Sequence, residues 1–166
     1  MLPSRSKEET IKAEQRLREL GIEILQTPAP LGSYKPAVIS GDLIFISGQL
    51  PIKEGRLLYK GKVGAEVSVE EGMDAARMAA INAISIMKGE LGDLDRVRRI
   101  VKVTGYVSSA SGFDMQASVV NGASDLFYQV FGEEGRHARV AVGVYELPLG
   151  SPVEIEVIAE IFLLKI

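Results

Sequence analysis

Two long stretches with helical periodicity limit this chain more than any other feature. Ser68 to Leu91 carries Val69, Met73, Ala76, Ala80, Ala83, Ile84, Met87 and Leu91 at helical spacing. Ser68 and Glu71 have the spacing of a capping box, in which each side chain answers an orphan backbone N–H of the first turn. Ser111 to Phe131 contains the second stretch, with Val119, Val120, Ala123, Leu126, Phe127, Val130 and Phe131 as its stripe. Each helix has one apolar stripe, so together they cover one face of a sheet. That predicts an α+β two-layer design.

The strands are read from alternation. Ala37 to Ile39 and Leu43 to Ser47 form a hairpin around Ser40-Gly41-Asp42. Glu54-Gly55 makes a second turn before Leu57 to Tyr59. Val97 to Val107 is rich in β-branched residues, with Val101, Val103, Gly105 and Val107 expected on one face and Lys102, Thr104 and Tyr106 on the other. In Ala138 to Tyr145, Val140, Val142 and Val144 oppose Arg139, Ala141, Gly143 and Tyr145. In Val153 to Leu163, the aliphatic residues from Val153 to Leu163 oppose Glu154, Glu156, Ile158, Glu160 and Phe162. The sheet's second face is expected to be mixed, with Ala141, Gly143, Tyr106, Ile158 and Phe162. Covering it by self-association is the economical solution.

Ahead of the sheet, Ser6 to Leu20 reads as a mostly charged helix on the surface. Ser6 and Glu9 cap it, Ile11, Leu17 and Leu20 form a thin stripe, and Gly21 stops it. Ile22 to Leu25 reads as a short strand, followed by a loop broken by Pro28, Pro30, Gly32 and Pro36. Residues 1–21 are therefore expected to be an N-terminal helical extension, with residues 22–166 as the main domain.

Composition removes several kinds of chemistry. The 166 residues include no cysteine and one histidine, which leaves no thiolate nucleophile, no zinc-thiolate site and no histidine cage within one chain. A net charge of -3 argues against general nucleic-acid binding, which needs a basic face. No apolar run approaches the roughly 20 residues of a membrane helix. The N-terminus has no secretory h-region, so the expected location is the cytoplasm. Gly61-Lys62 lacks the spacing and the following Ser or Thr of a phosphate loop.

Arg139 and Glu154 are the candidate site. The guanidinium is a planar fork suited to a carboxylate, with small residues around it. The alternative is a structural ion pair. Glu154 is expected near Arg139 if their strands pair through the Glu146–Pro152 connection. There it would orient water or shuttle a proton, or simply bridge to the arginine. His137 is read as a loop residue facing away from Arg139. Asn82 is assigned no function, and Tyr34 is read first as a packed tyrosine.

Ala138 to Val157, ARVAVGVYELPLGSPVEIEV, resembles the C-terminal signature of the YjgF/RidA family, also described as endoribonuclease L-PSP-like. Pro30-Leu31-Gly32-Ser33-Tyr34 resembles its P-x-G-x-Y loop, and Ile46-Ser47-Gly48-Gln49-Leu50-Pro51 its S-G-Q-x-P strand end. The leading helix and Gly143 suggest a longer branch of that family.

The resemblance implies a chorismate-mutase-like subunit and a trimeric barrel assembly with clefts between subunits. It implies hydrolysis of enamine and imine intermediates such as 2-aminoacrylate to 2-keto acids and ammonia, without cofactor or metal. Arg139 matches the carboxylate-binding arginine and Glu154 the water-positioning glutamate. Tyr34, Gly48 and Asn121 match pocket residues. Val140 stands where active members have Ser or Thr, and Ala141 where cysteine is usual, its carbonyl still able to hold a water. Competing expectations are a trimer that binds small carboxylates without turnover, favoured by Val140, and a ribonuclease or translation inhibitor.

Overall fold

The computed structural model describes residues 12–24 and 32–163. Helix α1 spans Ala13–Glu19, α2 Val69–Leu91 and α3 Gln116–Phe131. Strands are β1 (Ala37–Ser40), β2 (Leu43–Gln49), β3 (Ile52–Lys53), β4 (Arg56–Leu57), β5 (Val97–Ser108), β6 (Ala138–Val144) and β7 (Val153–Ile161). The main sheet runs β1-β2-β7-β5-β6, and β3-β4 is a separate small hairpin. In the main sheet β5 and β6 are parallel and the other pairs antiparallel, so the sheet is mixed. The α+β two-layer expectation is met.

Helix α2 begins as its capping box predicts. Ser68 Oγ accepts from Glu71 N at 3.1 Å, and Ser68 N donates to the Glu71 carboxylate at 2.8 Å. Its alanines sit fully buried, including Ala75, Ala76, Ala79, Ala80 and Ala83. Burial extends well round the helix, beyond the single stripe expected, because α3 packs against it as well as the sheet. The two helices meet closely at Gly122, where a Cβ would overlap the Met73 backbone carbonyl. Asn82, buried among these apolar side chains, donates to both Leu50 O and Ile52 O at 2.9 Å. It ties α2 to the chain leaving β2.

Ala13 and Leu17 of α1 join the core, whereas Leu20 is exposed. Glu14 anchors α1 by accepting from Lys88 and from Leu94 N. The Lys88 hydrogen bond holds the Glu14 carboxyl below its ordinary pKa. Ser6, Glu9, Ile11, Leu25, Pro28 and Pro30 lie outside the described residues. Residues 22–24 are not strand, which leaves the expected Ile22–Leu25 strand without support in its described part. No helix among the described residues is long and apolar enough to cross a membrane.

The faces of β5 and β6 differ from expectation. The register of β5 against β7 shifts between Ile100 and Lys102. The shift turns Val101 outward, and Ile100 fills the buried position instead. On β6, Arg139, Ala141 and Gly143 pair with Val103, Gly105 and Val107, which face the helices. Ala141 and Gly143 therefore belong to the helix-covered face and not to the open one. Small residues are needed there because α3 comes close: a Cβ on Gly143 would stand 2.9 Å from Gln116 Nε2, and one on Gly105 would overlap Val120.

Val38, Phe45, Val140 and Val142 are exposed on the opposite face. Tyr106, Ile158, Glu154 and Glu156 share that face. Strand β7 alternates as read, with Val153, Ile155, Val157, Ala159 and Ile161 buried. It ends at Ile161, and Phe162 and Leu163 are exposed. Tyr145 lies beyond β6, largely exposed, with the Lys62 ammonium 4.4 Å from its ring centre.

Candidate active site

Arg139 rises from β6 toward α3. Its Nη1 donates to Asn121 Oδ1 at 2.7 Å and to Ser124 Oγ at 3.2 Å, and its Nη2 donates to Ala117 O at 3.3 Å. Every one of these acceptors is neutral. Among the described residues Arg139 forms no ion pair, unlike Arg98 and Arg99, which meet Glu160 and Glu134. A guanidinium oriented by neutral acceptors keeps its charge available for an anion. Asn121 and Ser124 are three residues apart on α3, so both point from one helix face toward β6.

His137 lies closer to this cluster than expected. It precedes β6, and its ring packs edge-on against Phe127, with centroids 5.8 Å apart and planes at 86°. Its Nδ1 lies 2.6 Å from Gly135 O and its Nε2 2.9 Å from Ser124 Oγ. Burial, together with the Arg139 charge, lowers its pKa against the raising effect of the Gly135 hydrogen bond. An Asn and a Ser one turn apart on α3 were the sequence signal for this cluster.

Glu154 stands elsewhere. Strand β7 lies between β2 and β5, so β6 and β7 do not pair, and the expected adjacency of Arg139 and Glu154 is absent within one chain. Glu154 pairs with Tyr106 on the open face, whereas Arg139 is on the helix face. The Glu154 side chain lies over Gly48, at an irregular step of β2 between Ile46 and Gln49. A Cβ on Gly48 would overlap its carboxylate. Burial first, and then the nearby Glu156 charge, raises the Glu154 pKa.

Tyr34 lies in the loop before β1 and is half exposed. Ser47 clips that loop to the strand carrying Gly48, donating from Oγ to Lys35 O at 2.7 Å and from N to Pro36 O at 2.9 Å. Tyr34, Gly48 and Glu154 thus belong to one region. Arg139, Asn121 and Ala141 belong to another. Val140 is exposed on the open face, away from the Arg139 side chain of its own chain. Among the described residues no group of three His, Asp or Glu side chains could hold a metal ion.

A family model described as "YjgF/chorismate mutase-like, putative endoribonuclease" matches residues 14–161. The chain belongs to this family. Its mixed sheet with helices on one face is the family's chorismate-mutase-like fold. Protein TCP17 of Trypanosoma cruzi is 47% identical over 146 residues, covering 87% of this chain and 91% of that protein. A 2-iminobutanoate/2-iminopropanoate deaminase of Capra hircus is 34% identical over 140 residues, 83% of this chain and 87% of its own. Among solved structures, the Atu1372 protein of Agrobacterium tumefaciens superposes with a TM-score of 0.82 at 44% identity, covering 90% of this chain and 92% of that one.

Proposed function

We propose that this chain hydrolyses reactive enamine and imine intermediates, of the 2-aminoacrylate kind, to 2-keto acids and ammonia. The observation that carries the reading is Arg139, a cation presented by Asn121, Ser124 and the Ala117 carbonyl and, among the described residues, paired with no carboxylate. The relative from Capra hircus is named for deamination of two small 2-imino acids, which supports the same substrate class. In this reading Arg139 grips the substrate carboxylate. With the substrate as its imine tautomer, water adds to the C=N carbon and gives one proton by way of Glu154 to the nitrogen. The carbinolamine hydroxyl proton then follows to the nitrogen as the C–N bond breaks, the C=O forms and ammonia leaves. Positioning supplies most of the acceleration, since imine hydrolysis is intrinsically easy.

Glu154 can serve an Arg139-bound substrate only from another copy, because the two lie on opposite faces of one sheet. The reading therefore includes a homotrimeric barrel with clefts between subunits. One subunit supplies Arg139, Asn121 and the Ala141 carbonyl, and its neighbour Glu154, Gly48 and Tyr34. A contact between two different surfaces closes naturally into a ring, and the exposed Val38, Phe45, Val140 and Val142 are the apolar surface such packing would cover. Val140 then borders the cleft as an apolar wall. In this reading the domain from residue 22 onward carries the chemistry, α1 packs onto it as an addition, and the cytoplasm is the place of action.

The test generates imines with an amino-acid oxidase and follows keto-acid release. Wild type accelerates release over the protein-free rate and Arg139→Ala does not. Equal rates for the two proteins would end the proposal. A second reading, carboxylate binding without turnover, is favoured by Val140 in place of the Ser or Thr of active members. It predicts saturable keto-acid binding that depends on Arg139 with no acceleration.

A further inference from the structure

Behind Arg139 runs a chain of hydrogen bonds with only one possible direction. The Gly135 carbonyl can only accept, so His137 Nδ1 carries a hydrogen and donates to it across 2.6 Å. In the neutral ring Nε2 is then an acceptor. The Ser124 hydroxyl, 2.9 Å away, must donate to it. That leaves the Ser124 lone pairs to face Arg139 Nη1, which donates across 3.2 Å.

We infer that Ser124 and His137 are positioning residues that set the Arg139 guanidinium for a small carboxylate ligand. The inference rests on the reading of Arg139 as carboxylate anchor and adds what holds that anchor still. A free arginine side chain loses rotamer entropy when it is fixed. Fixing it during folding removes that cost from binding. Asn121 Oδ1 and Ser124 Oγ both accept from Nη1, while Ala117 O accepts from Nη2. Two of these contacts are side chains on a rigid helix, and Ser124 is itself oriented by a further residue, His137.

His137 suits the supporting role. Its ring is wedged edge-on against Phe127 and tied to the Gly135 carbonyl, so it is held at both ends. The charged group facing it is Arg139; Ser124 and Phe127 approach it from α3 and Gly135 from the preceding turn. Protonation would place a second cationic donor on the same hydroxyl. Burial and the Arg139 charge both disfavour that state, which keeps Nε2 available as an acceptor.

The test measures KM and kcat for imine hydrolysis, and the dissociation constant of pyruvate by calorimetry, on the intact protein. Variants are Ser124→Ala, Ser124→Thr, His137→Phe, His137→Gln and Arg139→Ala, each with a thermal melt. Ser124→Ala and His137→Phe are expected to weaken pyruvate and raise KM by roughly two- to tenfold, the scale of one hydrogen bond, with kcat little changed. Ser124→Thr keeps the hydroxyl and His137→Gln an acceptor, so both recover most of the binding.

Wild-type pyruvate affinity in Ser124→Ala, with binding lost in Arg139→Ala, would overturn the inference and leave the anchor in place. Losses in Ser124→Ala that follow the melting temperature and are not recovered by Ser124→Thr would also overturn it, as packing effects. Unchanged binding in Arg139→Ala would remove the anchor, and this inference with it.

Discussion

Arg139 and Glu154 lie on opposite faces of one sheet, with β5 between their strands. A site that uses both takes them from two copies, and this can be tested by mixing. Arg139→Ala and Glu154→Gln chains, each inactive alone, are expected to regain activity when refolded or co-expressed together. Random assortment in a ring gives roughly a quarter of the sites an intact arginine facing an intact glutamate. Mixtures that stay as inactive as their parents would contradict the shared site.

Glu154 makes opposing predictions for activity and stability. Its native pKa is raised by burial and by Glu156. Above the unfolded pKa the native state therefore binds more protons than the unfolded one, and stability falls as pH rises through the native value. Activity that needs the carboxylate ionised should rise over that same interval. Glu154→Gln is expected to flatten the stability slope just above the ordinary carboxylate range, and the wild-type rate profile to show its acid limb over that same interval. Urea unfolding and initial rates across pH check both.

His137 has the opposite sign in stability. Its pKa is lowered in the native state. The unfolded chain takes up the proton first as pH falls, so stability drops from the ordinary histidine pKa down to the native value and then levels off. Replacing His137 by Gln should remove this component. The imidazole resonances, followed by NMR, should titrate below the range of an exposed histidine, and a normal or raised value would contradict the buried neutral ring.

Asn82 predicts a large stability effect far from any chemistry. Its amide satisfies the Leu50 and Ile52 carbonyls at a buried position. Asn82→Leu would remove both amide bonds, leaving Leu50 O its bond from Ile52 N, at a cost of about 1–3 kcal/mol. The urea midpoint should move down with the m-value unchanged.

Gly122 should resist even alanine. Alanine normally improves a helix interior by about 1 kcal/mol over glycine. Here its Cβ would overlap the Met73 backbone carbonyl, which has no flexible end to move aside. Overpacking of that kind typically costs about 1–3 kcal/mol. Gly122→Ala is therefore expected to lower the melting temperature.

Much of this was legible in the sequence because local rules agreed with tertiary demands. The Ser68/Glu71 capping box starts α2 as expected, and β7 alternates without interruption because it is central, with one face under the helices. The reading failed where a third element decided the outcome. Valines alternate with small residues on β6, and hydrophobicity alone favours the valine face as core. The approach of α3 reverses that choice, since Gly143 and Gly105 are where helix side chains come nearest. Val101 follows period two in sequence, but the register shift beside it breaks the period in space. His137 reads as a loop residue facing away from Arg139, and it does precede β6, but its ring turns onto Ser124 of α3, a contact that strand periodicity cannot show. The adjacency of Arg139 and Glu154 presumed a hairpin, but the connection from β6 to β7 passes beyond β5.

That strand order also governs how the molecule can be made. The middle position of the sheet belongs to residues 153–161, which leave the ribosome after every other described strand. Until they arrive, β1-β2 and β5-β6 are two separate ribbons with unsatisfied inner edges and no common hydrophobic floor for α2. Folding of the nascent chain therefore waits on its closing segment. A premature stop just before Val153 would release two incompatible halves, each with an open strand edge ready to aggregate.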